Sequence, residues 1–78
     1  MPIIKKVGPY EFRFYSRGEA IERPHVHARR ENNHAKFWID DVELAAARGF
    51  ARHELRQIER IVHLHRGEFL EDWHEYFG

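Results

Sequence analysis

The sequence contains no cysteine, which excludes disulfide bonds, thiolate nucleophiles and Cys-ligated zinc or iron–sulfur sites. Threonine is also absent, and Ser16 is the only serine. There is no glycine-rich phosphate loop, no serine-nucleophile motif and no zinc-finger spacing. These absences argue against serine hydrolases and nucleotide-hydrolysing enzymes.

Long apolar runs are missing as well. No run approaches the ~20 residues that a helix needs to cross a bilayer, and the N-terminus lacks the apolar stretch of a signal peptide. Together with the lack of cysteine, this predicts a cytoplasmic protein with no membrane partner. The chain has 78 residues, enough for one domain, so we predict a single domain over residues 1–78.

The balanced total charge hides an asymmetry along the chain. Residues 1–39 carry eight basic and four acidic residues, a net charge of +4, whereas residues 40–78 carry five and nine, a net charge of −4. A basic half can indicate an anionic partner, but opposite charges can equally attract each other within the fold or across a dimer.

The first half of the chain shows the two-residue period of strands. Ile3 to Val7 is followed by Gly8-Pro9, and residues 10–15 then alternate aromatic with polar residues, so that Tyr10, Phe12 and Phe14 share one face. We predict an α+β protein in which residues 1–44 form a three- to four-stranded antiparallel sheet. A C-terminal helical part, residues 45–78, is predicted to pack on one face of that sheet.

A hairpin is predicted around Asn32-Asn33, because asparagine tolerates the positive φ of tight turns. With those two residues as the turn, His25 faces Asp40 and His27 faces Trp38. This register puts five apolar residues of the hairpin on one face, and its polar residues together with Trp38 on the other. The apolar residues are Val26, Ala28, Ala35, Phe37 and Ile39.

The helical half has an apolar stripe at spacings of three and four residues. Its members are Leu55, Ile58, Val62, His65, Phe69, Trp73 and Tyr76. A straight helix over residues 52–76 would be roughly 36 Å long, more than the sheet can cover, so a bend or break is expected near Gly67. Residues 45–50 are ambiguous, and the large apolar area after Gly67 suggests a homodimer or another protein partner.

Pro24-His25-Val26-His27, between an aromatic strand and the Ala35–Asp40 strand, resembles the bacterial domain-of-unknown-function family 4160. That family pattern starts with Met-Pro-x-Ile and ends with a helix bearing a Glu-x-x-Trp motif, to which Glu68 to Trp73 correspond, although Leu70 stands three residues before Trp73. The resemblance implies a small bacterial protein, encoded beside another short protein as in toxin–antitoxin pairs. It assigns no activity. The segment 42–50 replaces the glycine-bearing acidic turn of other members.

The two histidines of this strand point the same way, because they are two residues apart. With Asp40 opposite, His25 and His27 have the residue types of a catalytic acid–base pair or of a zinc or nickel site. We expect no cofactor, with one divalent metal as the alternative.

The same face offers residues for binding. Arg13, Arg29 and Lys36 can contact phosphates, while Tyr15 and Trp38 can stack on bases or anchor a protein. The working hypothesis is an interaction protein, plausible as one half of a toxin–antitoxin-like pair, that binds a protein or RNA through this face. The alternative is a ribonuclease or a metal-binding protein that uses His25, His27 and Asp40.

Overall fold

The computed structural model describes residues 3–15 and 21–78. Five antiparallel strands, paired in chain order, precede two helices. These elements are β1 (Ile3–Val7), β2 (Tyr10–Arg13), β3 (His25–Arg30), β4 (Asn33–Trp38), β5 (Glu43–Arg48), α1 (Arg52–Leu64) and α2 (Arg66–Phe77). The α+β class and the antiparallel sheet are as predicted, but the sheet has five strands instead of the three or four expected.

The aromatic strand packs against α2. Tyr10, Phe12 and Phe14 are buried, as their alternation predicts. The ring centroids of Phe12 and Phe69 are 5.4 Å apart, and those of Phe14 and Trp73 are 5.3 Å apart. These aromatic pairs fix one end of the sheet to the second helix.

The β3–β4 hairpin turns at Glu31 and Asn32 rather than at the two asparagines. Arg30 pairs with Asn33, so the predicted pairing is wrong by two residues, and His25 faces Trp38 instead of Asp40. Glu31 takes the positive φ of 56° that the prediction gave to an asparagine. A displacement of two residues leaves every side chain on its face, so the predicted apolar set is buried as expected.

Residues 45–48 belong to the sheet and not to the helical part to which the sequence assigned them. They complete β5, which pairs with β4 through a bulge at Ala45, because Lys36 pairs with Ala46 and Phe37 with Leu44. Val42 and Gly49, at φ of 52° and 91°, bound the strand. All six side chains of β5 are exposed.

The predicted break in the helical part is confirmed, but it lies at His65. The backbone there leaves the helical region, with φ −105° and ψ 17°, and the Phe69 N–H donates to the His65 carbonyl at 2.8 Å as α2 begins. Ile58 and Val62 of α1, and Phe69 and Trp73 of α2, are buried. Most of the apolar area that suggested a partner surface therefore lies in the core of the chain itself.

The described residues form two helices, α1 and α2. Neither of them is long and apolar enough to cross a membrane.

Candidate functional site

The polar face of the sheet, which we call the outer face, is opposite the face that carries Val26 and Ala28. Cross-strand neighbours form rows on it. One row runs from Glu11 through Arg29 and His34 to Arg48. The next row contains the neighbouring residues Arg13, His27, Lys36 and Ala46. Candidate functional residues from four strands are thus held on a rigid surface.

His27 and His34 form a hydrogen-bonded pair on this face. The Nδ1 atom of His27 is 2.8 Å from the Nε2 atom of His34. Tyr15 stacks on the His27 ring, with centroids 4.1 Å apart and planes inclined by 17°. One imidazole donates and the other accepts, so at least one ring of the pair is neutral. His27 is 5% exposed, whereas His34 is half-buried and faces a pocket.

His25 is buried at the end of the sheet rather than displayed on an open surface. Its Nδ1 atom lies 3.0 Å from the Arg23 carbonyl oxygen, which can only accept, so Nδ1 carries the proton. The ring packs against Trp38 and Trp73 at centroid distances of 5.7 and 5.1 Å. These contacts make His25 a packing residue.

Asp40 does not join the two histidines, which corrects the predicted trio. Its carboxylate accepts a hydrogen bond from the Arg23 guanidinium at 2.6 Å, and this bond lowers the pKa of Asp40. In residues 3–15 and 21–78, no group of three or more histidine, aspartate or glutamate side chains is placed to hold a metal ion. The described geometry therefore gives the zinc or nickel hypothesis no ligand set.

Several predicted binding residues are engaged within the chain. Arg13 forms an ion pair with Glu11 at 3.0 Å, and Lys36 forms one with Glu22 at 2.6 Å. The Trp38 ring has two cation contacts, with the Arg23 guanidinium and the Lys36 ammonium each 4.8 Å from its centroid. A phosphate that bound through Arg13 or Lys36 would compete with these carboxylates.

Arg29 and Tyr15 line a pocket of about 300 Å³ together with residues that the sequence did not indicate. Its described lining residues are Tyr15, Arg29, Asn32, His34 and Arg48. None of them is acidic, and in the described part of the chain neither arginine has a carboxylate within ion-pair distance.

The Arg29 side chain is held toward this pocket by its Nε–H, which donates to the Glu31 carbonyl at 3.2 Å. Guanidinium groups bind phosphate through parallel N–H donors, and the Asn32 amide adds further donors. The pocket is therefore suited to a phosphate group.

The net charge of −4 in residues 40–78 is unevenly divided between the two helices. The exposed arginines of α1, Arg52, Arg56 and Arg60, follow one another at four-residue spacing on its solvent side. The acids are concentrated in α2, where burial and then the neighbouring Glu68 raise the pKa of Asp72. The chain thus has two basic surfaces, the pocket and the solvent side of α1. A charge reversal on α1 is therefore the matched control for a charge reversal in the pocket.

Comparison with curated proteins and with solved structures found no match. A comparison with family models did, and the match extends over the aromatic strand, the hairpin, β5 and almost all of the helical part. The model of the domain of unknown function DUF4160 matches residues 10–74, and the chain therefore belongs to this family.

Proposed function

We propose that this chain is an interaction protein that binds single-stranded RNA on the outer face of its sheet, with a backbone phosphate in the pocket between Arg29 and Arg48. The observation that supports this proposal is the row Arg29–His34–Arg48, in which two arginines flank a histidine and no described carboxylate lines the pocket.

The geometry of the row suits a phosphodiester. Adjacent strands are about 4.8 Å apart, so the backbones of β3 and β5 are separated by about 10 Å at this row. Two long guanidinium side chains can converge on one phosphate across that distance. A Lys or Arg that replaces a condensed counterion contributes affinity whatever the base sequence of the RNA. The site would therefore bind the RNA backbone rather than recognise bases.

Aromatic residues beside the pocket favour a single strand over a duplex. Tyr15 and His34 line the pocket, and their rings are nearly parallel, at an angle of 16°. Single-stranded RNA is bound by sheet surfaces on which unstacked bases lie against aromatic rings. The described outer face presents no helix to insert into a duplex groove.

The biological setting that we propose follows the family resemblance, in which the chain works as one half of a toxin–antitoxin-like pair. An RNA-binding member of such a pair would need its pocket and a second surface for the other protein. The exposed arginines of α1 and the acids of α2 offer charged surfaces for that protein.

The test is the affinity of the purified chain for a fluorescently labelled single-stranded RNA, measured by anisotropy at several salt concentrations. We expect Arg29→Glu to weaken binding by about tenfold and to reduce the slope of log K against log salt by about 1. The matched control is Arg56→Glu, which makes the same charge reversal on α1.

Equal weakening by Arg29→Glu and Arg56→Glu would show that only the total charge matters, and the proposal would then be wrong. Absence of RNA binding by the unaltered chain would also overturn it. His34→Ala removes a lining ring without reversing a charge, and we expect a smaller loss of affinity, of about threefold.

A second candidate function, RNA cleavage, is favoured by the His27–His34 hydrogen bond, which orients the His34 ring at the pocket. With its Nε2–H donated to the Nδ1 atom of His27, His34 would accept at its own Nδ1 the proton of a ribose 2′-hydroxyl, whose oxygen attacks the adjacent phosphorus. The P–O5′ bond breaks, the 5′ oxygen takes a proton from water, the resulting hydroxide takes the proton from His34, and a 2′,3′-cyclic phosphate remains. Gel analysis of the same RNA tests this, since fragments should form with the unaltered chain and not with His34→Ala.

A further inference from the structure

The two edges of the sheet differ in how they are protected against pairing. The edge strand β1 carries Lys5 and Lys6, and lysine on an edge opposes the approach of another strand. The other edge strand, β5, has Leu44 and then three alanines at its centre, with no charge among them. Within the described residues no strand pairs with its outer side.

We propose that a second copy of the chain occupies this edge. The two β5 strands would pair antiparallel about a twofold axis perpendicular to the sheet, giving one continuous sheet with five strands from each copy. Such an interface uses the same patch of both copies and therefore closes as a dimer instead of extending into a fibre.

Charge complementarity along β5 identifies a second copy as the occupant. The strand begins with Glu43 and ends with Arg48. When two copies pair antiparallel around the midpoint between Ala45 and Ala46, each Glu43 stands beside the partner's Arg48. The same register places Leu44 beside the partner's Ala47, so both ends pair opposite charges and the centre pairs small apolar side chains.

The bulge at Ala45 makes this pairing possible. In a regular strand, residues five apart point to opposite faces, and Glu43 could not meet the partner's Arg48. The extra residue changes that relationship. Glu43 pairs with Trp38 and Arg48 with His34, so both ends of β5 lie on the outer face. Leu44 and Ala47 correspondingly share the helix side.

The helix side of β5 also gains from a second copy. Leu44 pairs with the buried Phe37 but is itself 42% exposed, because the helices do not reach the edge of the sheet. Ala47, opposite the buried Ala35, is exposed as well. In the dimer these side chains would cover one another across the axis, so the pairing combines main-chain hydrogen bonds with apolar burial.

The mass of the unaltered chain in solution, measured by analytical ultracentrifugation at concentrations up to about 100 µM, tests the proposal. We expect a dimer. Glu43→Arg and Arg48→Glu should each weaken it at least tenfold, because each places like charges together at both ends of the interface. The double variant Glu43→Arg/Arg48→Glu should restore the dimer, which a misfolded variant could not do.

Two further variants complete the experiment. Ala46→Lys puts a charge at the exposed centre of β5 without touching the core, and it should give a monomer with an unaltered circular dichroism spectrum. Glu59→Arg on α1 is the control and should leave the dimer intact. A chain that is monomeric at about 100 µM, or a dimer that survives both Glu43→Arg and Ala46→Lys, would overturn the proposal. The mass is measured without RNA, so its outcome is separate from that of the RNA-binding test; in the dimer, the partner's Glu43 competes with an RNA phosphate for Arg48.

Discussion

The imidazole rings of His27 and His34 share a hydrogen bond. His27 is buried on β3, and His34 is half-buried on the neighbouring strand β4. We expect this bond to appear as an energetic coupling of about 0.5–1.5 kcal/mol in a double-mutant cycle. The cycle compares His27→Ala, His34→Ala and the double variant by urea denaturation at neutral pH. It separates the bond from the loss of packing that either substitution alone also causes.

The matched cycle pairs His27→Ala with His53→Ala, since His53 is an exposed histidine on α1. Its effects should add to within about 0.5 kcal/mol. If the His27 and His34 effects are additive to the same degree, the two rings do not form this bond in solution.

Glu54 ties the start of α1 to the end of β3 and should make the fold sensitive to acid. Its carboxylate accepts hydrogen bonds from Arg30 at 2.6 and 3.1 Å. Burial raises the pKa of Glu54, but the hydrogen bonds and the positive charge of Arg30 outweigh it, and the pKa is lowered. A lowered pKa means that the ionised form stabilises the fold above the ordinary pKa, and that this stability is lost as pH falls through the folded-state value.

Glu54→Gln should therefore lower the Tm most at neutral pH, and the difference from the unaltered chain should shrink as the pH falls from about 7 to about 3. Thermal denaturation followed by circular dichroism measures it. The control is Glu59→Gln, an exposed glutamate of the same helix. A Tm difference for Glu54→Gln that stays constant over this range would contradict the assignment.

Gly49, which ends β5, should not tolerate a side chain. Its φ is 91°, and a Cβ atom there would collide with the side chain of Asn33. We expect Gly49→Ala to destabilise the fold by roughly 1–3 kcal/mol in chemical denaturation, because the backbone conformation and the contact are both unfavourable. The control is Gly67→Ala in α2, where a Cβ meets nothing within 4 Å.

The control should have the opposite sign, because alanine is favoured over glycine in a helix by up to about 1 kcal/mol. A Gly49→Ala variant as stable as Gly67→Ala would show that the chain relaxes at the end of β5, and that this turn does not hold the edge strand in place.

The fold class could be predicted because the strongest signals are local. Alternation in residues 10–15 places three aromatics on one face whatever the strand pairs with, and the stripe from Leu55 to Trp73 fixes the buried side of the helices. The break in the helical part could be anticipated from length alone. Its exact position could not, because Gly67 lies inside α2 and no local signal in the sequence marks His65 as the residue where the backbone leaves the helical region.

The site could be predicted only in part, because it depends on register. The alternation of apolar residues identifies which face of the hairpin is buried. It is unchanged when one strand is displaced by two residues, so it could not choose between the two pairings. The pairing of Arg29 with His34, and the approach of His34 to His27, follow from the turn at Glu31. Arg48 was missed because its strand is mostly alanine, which suits a helix as well.

The hairpin register has a consequence for how the chain tolerates change. A displacement of β3 against β4 by two residues would keep Val26, Ala28 and Phe37 on the helix side of the sheet. It would nevertheless bring new side chains opposite His27 and Arg29 and dismantle the pocket. A relative whose hairpin pairs in the displaced register would keep the architecture and lose the pocket, so the position of the turn at residues 31–32 is a marker by which to sort family members.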